Sequence, residues 1–136
     1  MVPHSIQLSG LSGAMIDLKQ SIEARGLQCD LDLHNLDDLV ISQQNASMLY
    51  RIIQEISNNA VKHSEAKNIF IQLMKAEDTL HITIEDDGKG FDINAVLTKK
   101  GMGLKSIDSR VNYLNGNLHY DSSPNHGTTV NIEIPL

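Results

Sequence analysis

The chain has 136 residues, 40% hydrophobic and 21% charged, a balance that suits one soluble globular domain with its own core. A formal charge of −6 argues against a nonspecific nucleic-acid binder, which needs a basic surface to displace counterions. The single cysteine, Cys29, excludes an internal disulfide and suits a reducing compartment, and neither a signal peptide nor a bilayer-length apolar run is visible.

Met1 to Ser12 contains Pro, Gly and Ser and reads as an arm (residues 1–12) leading into a domain over residues 13–136. From Leu11 to Arg25, Leu11, Met15, Leu18 and Ile22 recur at helical spacing, with Gly26 as the stop. Leu27 to His34 alternates, with Leu27, Cys29, Leu31 and Leu33 on one face, which predicts a half-buried strand and Cys29 as a small core residue. Asn35 to Asp38 reads as a turn and Leu39 to Ile41 as a short strand. Ser47 to Lys62 is the strongest helix, with Leu49, Ile52, Ile53, Ile56 and Ala60 forming an apolar stripe. Strands follow at Asn68 to Ala76 and Thr79 to Glu85, joined by a tight Glu77-Asp78 turn. A loop runs from Asp86 to Gly101, then a helix from Leu104 to Leu114 with Ile107, Val111 and Leu114 inward. Strands at Asn117 to Ser122 and Thr128 to Ile134 flank a Ser-Pro-Asn-His-Gly turn. Helices packed on one face of a mixed sheet are the simplest way to bury both apolar surfaces.

Glu55, Asn59, Lys62 and His63 share one stripe of the central helix, on the shoulder of its apolar face. Asn59 offers an amide oxygen, a hard ligand suited to Mg²⁺. Lys62 offers a point charge for phosphates, and Glu55 could orient a water or act as a base. The plain alternative is a solvated helix face. Asp86 leaves the end of a strand, where its carboxylate can accept a hydrogen bond from an exocyclic amine such as that of adenine. Gly88 and Gly90 permit close backbone approach, and Gly101-x-Gly103 precedes a helix whose N-terminal N–H groups suit phosphate. The P-loop pattern, the dinucleotide-binding fingerprint and the nucleophile elbow are absent, and the six histidines lack metal-ligand spacing.

Taken in order, these segments resemble the GHKL superfamily of ATPases, whose nucleotide site is the Bergerat fold. Glu55-x-x-x-Asn59-x-x-Lys62-His63 resembles its N box, Asp86-x-Gly88-x-Gly90 its first glycine box, and Gly101-Met102-Gly103-Leu104 its second. Gly127-Thr128-Thr129 resembles the Gly-Thr element of its last strands. Within the superfamily the chain is most similar to the catalytic domain of bacterial sensor histidine kinases of the nitrate-sensor-like class. The approach Leu49 to Glu55, the run Asp86 to Asp92, the short stretch from Phe91 to Gly101 and the ending Gly127 to Leu136 carry that likeness.

The resemblance implies an α/β two-layer sandwich of helices on a mixed, mostly antiparallel sheet. It implies Asn59 on Mg²⁺ and Asp86 on the adenine amine, assisted by Thr128. Lys62, His63, Gly101, Gly103 and Leu104 would lie near the phosphates or the lid. It implies transfer of the ATP γ-phosphate to a histidine on an upstream dimerisation domain, then to an aspartate on a response-regulator receiver domain. That histidine-bearing helix is missing from this sequence, and His4, in the junction after Pro3, is not taken as the acceptor. The expected parent is a homodimer whose kinase domain is cytoplasmic, with or without an inner-membrane anchor; the isolated domain would bind ATP and turn it over poorly. Two other readings remain open: a serine-protein kinase of the anti-sigma-factor type, and a non-catalytic interaction module with a degenerate pocket.

Overall fold

The computed structural model describes residues 4–63, 65–90 and 104–136. Its elements, in chain order, are α1 (His4–Ala24), β1 (Gln28–His34), a 3-10 turn (Leu36–Asp38), α2 (Gln43–His63), β2 (Asn68–Ala76), β3 (Thr79–Asp86), α3 (Leu104–Tyr113), β4 (Asn117–Ser122) and β5 (Thr128–Pro135). The strands form a single five-stranded sheet in the order β1-β2-β3-β5-β4. β1 pairs with β2 in parallel, and the other neighbours are antiparallel. The parallel pair needs a crossover, which α2 supplies.

The helices lie in one layer, with α2 flanked by α1 and α3. Their apolar stripes meet the inward side chains of the sheet in one core. Met15 and Ile22 of α1, Leu49, Ile52 and Ile53 of α2 and Ile107 of α3 are fully buried against Ile71, Leu80, Ile82 and Ile132. Removing each such side chain from water stabilises the fold by about 1.5–3 kcal/mol. Cys29 lies in this core, and burial pushes its thiol up to about 11, so it stays protonated at neutral pH and packs as a small hydrophobe. The opposite sheet face carries polar pairs: the Asp32 carboxylate accepts from Gln72 Nε2 at 3.0 Å and meets His34 Nε2 at 2.7 Å. This is a two-layer sandwich with one apolar core between helices and sheet.

Beyond shifts of one residue at several element ends, the sequence expectations differ from the structure in three places. The helix expected from Leu11 is preceded by a further helical stretch from His4, separated from it by a break at Gly10, where φ is 71°. Leu39–Ile41 is not a strand: it pairs with no neighbour, and Val40 is 88% exposed while Leu39 and Ile41 pack partly on the core. Finally, α2 starts four residues before the expected Ser47, at Gln43, because Ser42 Oγ accepts from the Asn45 N–H at 3.1 Å and caps the first turn.

Candidate functional site

Two of the residues singled out by the sequence, Asp86 and Thr128, meet at one end of the sheet. β3 ends there at Asp86 and β5 begins there at Thr128, and the two are direct cross-strand partners. β2 also starts at this end, with Ile69 opposite Asp86. The chain passes from the end of α2 to the start of β2 over residues 64–67, so the C-terminal half of α2 descends on the same end.

The floor of the site is built from backbone. Asp86 Oδ1 accepts from the Gly88 N–H at 2.8 Å, which fixes its carboxylate at the start of the loop. Thr128 is 8% exposed. Ser122 Oγ donates to the Gly127 carbonyl at 3.0 Å and lies 2.8 Å from Thr128 Oγ1. With its one proton committed to Gly127, Ser122 serves as acceptor for the Thr128 hydroxyl. Asn125 N–H donates to the Lys89 carbonyl, closing the β4–β5 turn onto the loop after β3.

That closure demands glycine at two positions. Gly127 (φ 72°) lets the turn run against the Asp86 backbone, and a Cβ there would collide with the Asp86 carbonyl oxygen. Gly90 (φ 63°) does the same from the other side, where a Cβ would meet the Ser123 carbonyl oxygen.

The neighbouring Asp87 has a different task. Its Oδ1 accepts from the backbone N–H groups of Lys67 and Asn68, both at 2.9 Å, and its Oδ2 accepts from Asn68 Nδ2 at 2.7 Å. These bonds, the Asn68 side chain first, hold the Asp87 carboxyl below the usual carboxylate range. Asp87 therefore ties the loop to the start of β2, and sequence reading missed it because Asn68 lies far upstream.

α2 forms the wall. Glu55 and Asn59 are half-buried and Lys62 is exposed on the stripe the sequence predicted. Glu55 meets a partner the sequence did not suggest: Arg110 Nη1 of α3 donates to its Oε2 at 2.5 Å. Inside the sandwich near this pair is Tyr120 of β4. Its hydroxyl is buried and has no hydrogen-bond partner among the described residues. Burial, and then the nearby carboxylates of Asp108 and Glu55, push its phenol well above the ordinary value. Of His63 and Leu104 only the backbone is described, at the end of α2 and the start of α3. Gly101 and Gly103 lie outside the described residues.

Residues 44–136 match the family model described as histidine kinase-, DNA gyrase B- and HSP90-like ATPase. The chain belongs to this ATPase family. A sensor histidine kinase of Bacillus subtilis, YdfH, is 40% identical over 85% of this chain and 28% of its own length. The sensor protein VraS of Staphylococcus haemolyticus is 28% identical over 93% of the chain and 34% of its own length. The chain thus spans about a third or less of these curated relatives. Among solved structures, the histidine kinase domain of a blue-light activated kinase from Erythrobacter litoralis shares the fold with a TM-score of 0.73. It is 20% identical, with 93% of this chain and 60% of that one covered. The histidine kinase AdeS of Acinetobacter baumannii gives a TM-score of 0.71 at 19% identity, over 91% of this chain and 64% of its own. The expected sandwich of helices on a mixed sheet is therefore the observed one. Among the described residues, no helix is long and apolar enough to cross a membrane.

Proposed function

We propose that this chain is the ATP-binding catalytic domain of a sensor histidine kinase. In this reading it presents the γ-phosphate of ATP to a histidine on a separate dimerisation domain, from which the phosphoryl group passes to an aspartate on a response-regulator receiver domain. The observation that carries the proposal is the pairing of Asp86 with Thr128 at the end of the sheet where the Asn59-bearing half of α2 descends, in a chain of this ATPase family.

Each residue has a role that its chemistry suits. Asp86, fixed by Gly88, accepts from the purine amine, and the Thr128 hydroxyl beside it supports the same edge of the base. Lys62, exposed on the α2 stripe, supplies a mobile positive charge toward the phosphates. The N–H groups opening α3, after Gly101 and Gly103, suit phosphate oxygens, and His63 and Leu104 border that region.

Asn59 is the protein's ligand for Mg²⁺. No cluster of three or more acidic, histidine or cysteine side chains able to hold a metal is found among the described residues. A single amide oxygen fits a cation held mainly by phosphates and waters. When bound, Mg²⁺ neutralises phosphate charge. Catalysis is then positioning and charge stabilisation, with the nucleophile brought by the other domain. The surroundings proposed are cytoplasmic, where ATP is available.

Calorimetry with Mg²⁺–ATP tests the site. Asp86→Asn replaces one acceptor with a donor against the purine amine and is expected to weaken binding about 10–100-fold. Unchanged affinity would refute the adenine assignment. Presenting a histidine-bearing helical hairpin and a serine-bearing partner protein in separate phosphotransfer assays tests the acceptor. Labelling of the serine partner alone would replace the histidine-kinase reading with the serine-kinase one.

A further inference from the structure

We infer that Glu55 and Arg110 act as a positioning pair that braces α3 against α2, the wall of the nucleotide site, and that Glu55 is not the base. The inference rests on the ATP-binding reading above and assigns the one member of the predicted stripe which that mechanism leaves without a task.

The pair joins two elements that depend on each other for the site's shape. Glu55 lies one helical turn before Asn59 on α2. Arg110 lies in the last turn of α3, a ten-residue helix whose first residue follows Gly103 in sequence. The contact is therefore a brace between the proposed cation-binding stripe of α2 and the last turn of α3. Its geometry is short, at 2.5 Å, and its side chains are only 34% (Arg110) and 29% (Glu55) exposed, so solvent screens it less than a surface pair.

A base must direct a lone pair at the incoming nucleophile. Glu55 Oε2 is directed at Arg110 instead. The packing around the pair agrees with a fixed strut. Tyr120, whose ring packs against the core, places a buried hydroxyl close enough to Glu55 and Asp108 to feel both charges. α2 and α3 are also packed directly against each other.

The test uses the 136-residue chain with Glu55→Gln, Arg110→Gln, the two combined, and the reversed pair Glu55→Arg with Arg110→Glu. Three quantities are measured: affinity for Mg²⁺–ATP, hydrogen exchange of the α3 amides without nucleotide, and phosphotransfer to the histidine-bearing hairpin. Each single change is expected to weaken ATP binding about tenfold and to speed α3 exchange. The combined change should be no worse than the poorer single one, and the reversed pair should regain most of the affinity. Wild-type affinity in Glu55→Gln together with lost phosphotransfer would restore the base and overturn the inference. So would losses that multiply in the combined change. If the unaltered chain binds no nucleotide, the ATP reading fails by itself, and α3 exchange still decides the pair: unchanged exchange in Arg110→Gln overturns it.

Discussion

The floor and the wall of the site are held by different kinds of contact. On the floor, Asp86, Asp87, Gly90 and Gly127 are fixed by backbone groups, through N–H donors and close main-chain approach. On the wall, Glu55 and Arg110 are fixed by two long side chains reaching between helices. Backbone contacts cost little rotamer entropy and leave few alternatives, whereas a side-chain pair can part and re-form. A purine needs a rigid edge to be recognised, and a wall made of two helices needs a tie between them. The two halves of the site suit those two needs.

The largest break should come from the floor. Gly127→Ala places a methyl group against the Asp86 carbonyl in a left-handed backbone. We expect a loss of about 1–3 kcal/mol of stability from strain, with ATP binding falling as Asp86 shifts. Chemical denaturation and calorimetry on the same preparation check both. Asp86→Asn, by contrast, should leave the melting temperature nearly unchanged while costing the 10–100-fold in affinity given above. That contrast separates the structural glycine of the floor from the recognition group.

Asp87→Ala should cost about 1 kcal/mol of stability, kept modest because Asp87 is exposed. Its carboxyl titrates lower in the folded chain than its ordinary value of 3.8. The contribution is therefore fully present above that value and is lost as the pH falls through the lower, folded one. Denaturation of parent and variant at a series of acidic pH values should show the gap closing as the solution is acidified. A gap independent of pH would mean that the carboxylate's charge plays no part.

On the wall, raising the salt concentration should weaken the coupling between Glu55 and Arg110, measured by a double-mutant cycle, from about 1 kcal/mol toward zero. The floor variants should be nearly insensitive to salt. The smallest effect is expected from Tyr120→Phe. Its hydroxyl is buried without a partner among the described residues, so removing it should leave stability unchanged or raise it by about 1 kcal/mol. A clear loss in the melting temperature would show that the hydroxyl has a partner in solution.

The periodic parts of the chain were legible because period alone specifies which face is buried. All five apolar positions assigned to α2 (Leu49, Ile52, Ile53, Ile56 and Ala60) are buried, and β2 and β4 have the expected ends. Boundaries failed where a cap or a pairing partner decided them. Ser42 moved the start of α2, and the segment 39–41 found no neighbour. Asp86 was legible from its place at a strand end followed by glycines. Asp87 was not, because its bonds go to Lys67 and Asn68 across the sheet. Arg110 was equally hidden, since nothing local links it to Glu55.

By itself the sequence determined the helical and extended segments, the apolar faces they bury and the order of the glycine-bearing motifs, since spacing along the chain encodes each of these. Only the tertiary structure decided that Asp86 stands opposite Thr128, that Asp87 ties down the loop, and that Glu55 answers to Arg110. Those relations join residues distant in the chain, and packing of the whole domain brings them within hydrogen-bonding range.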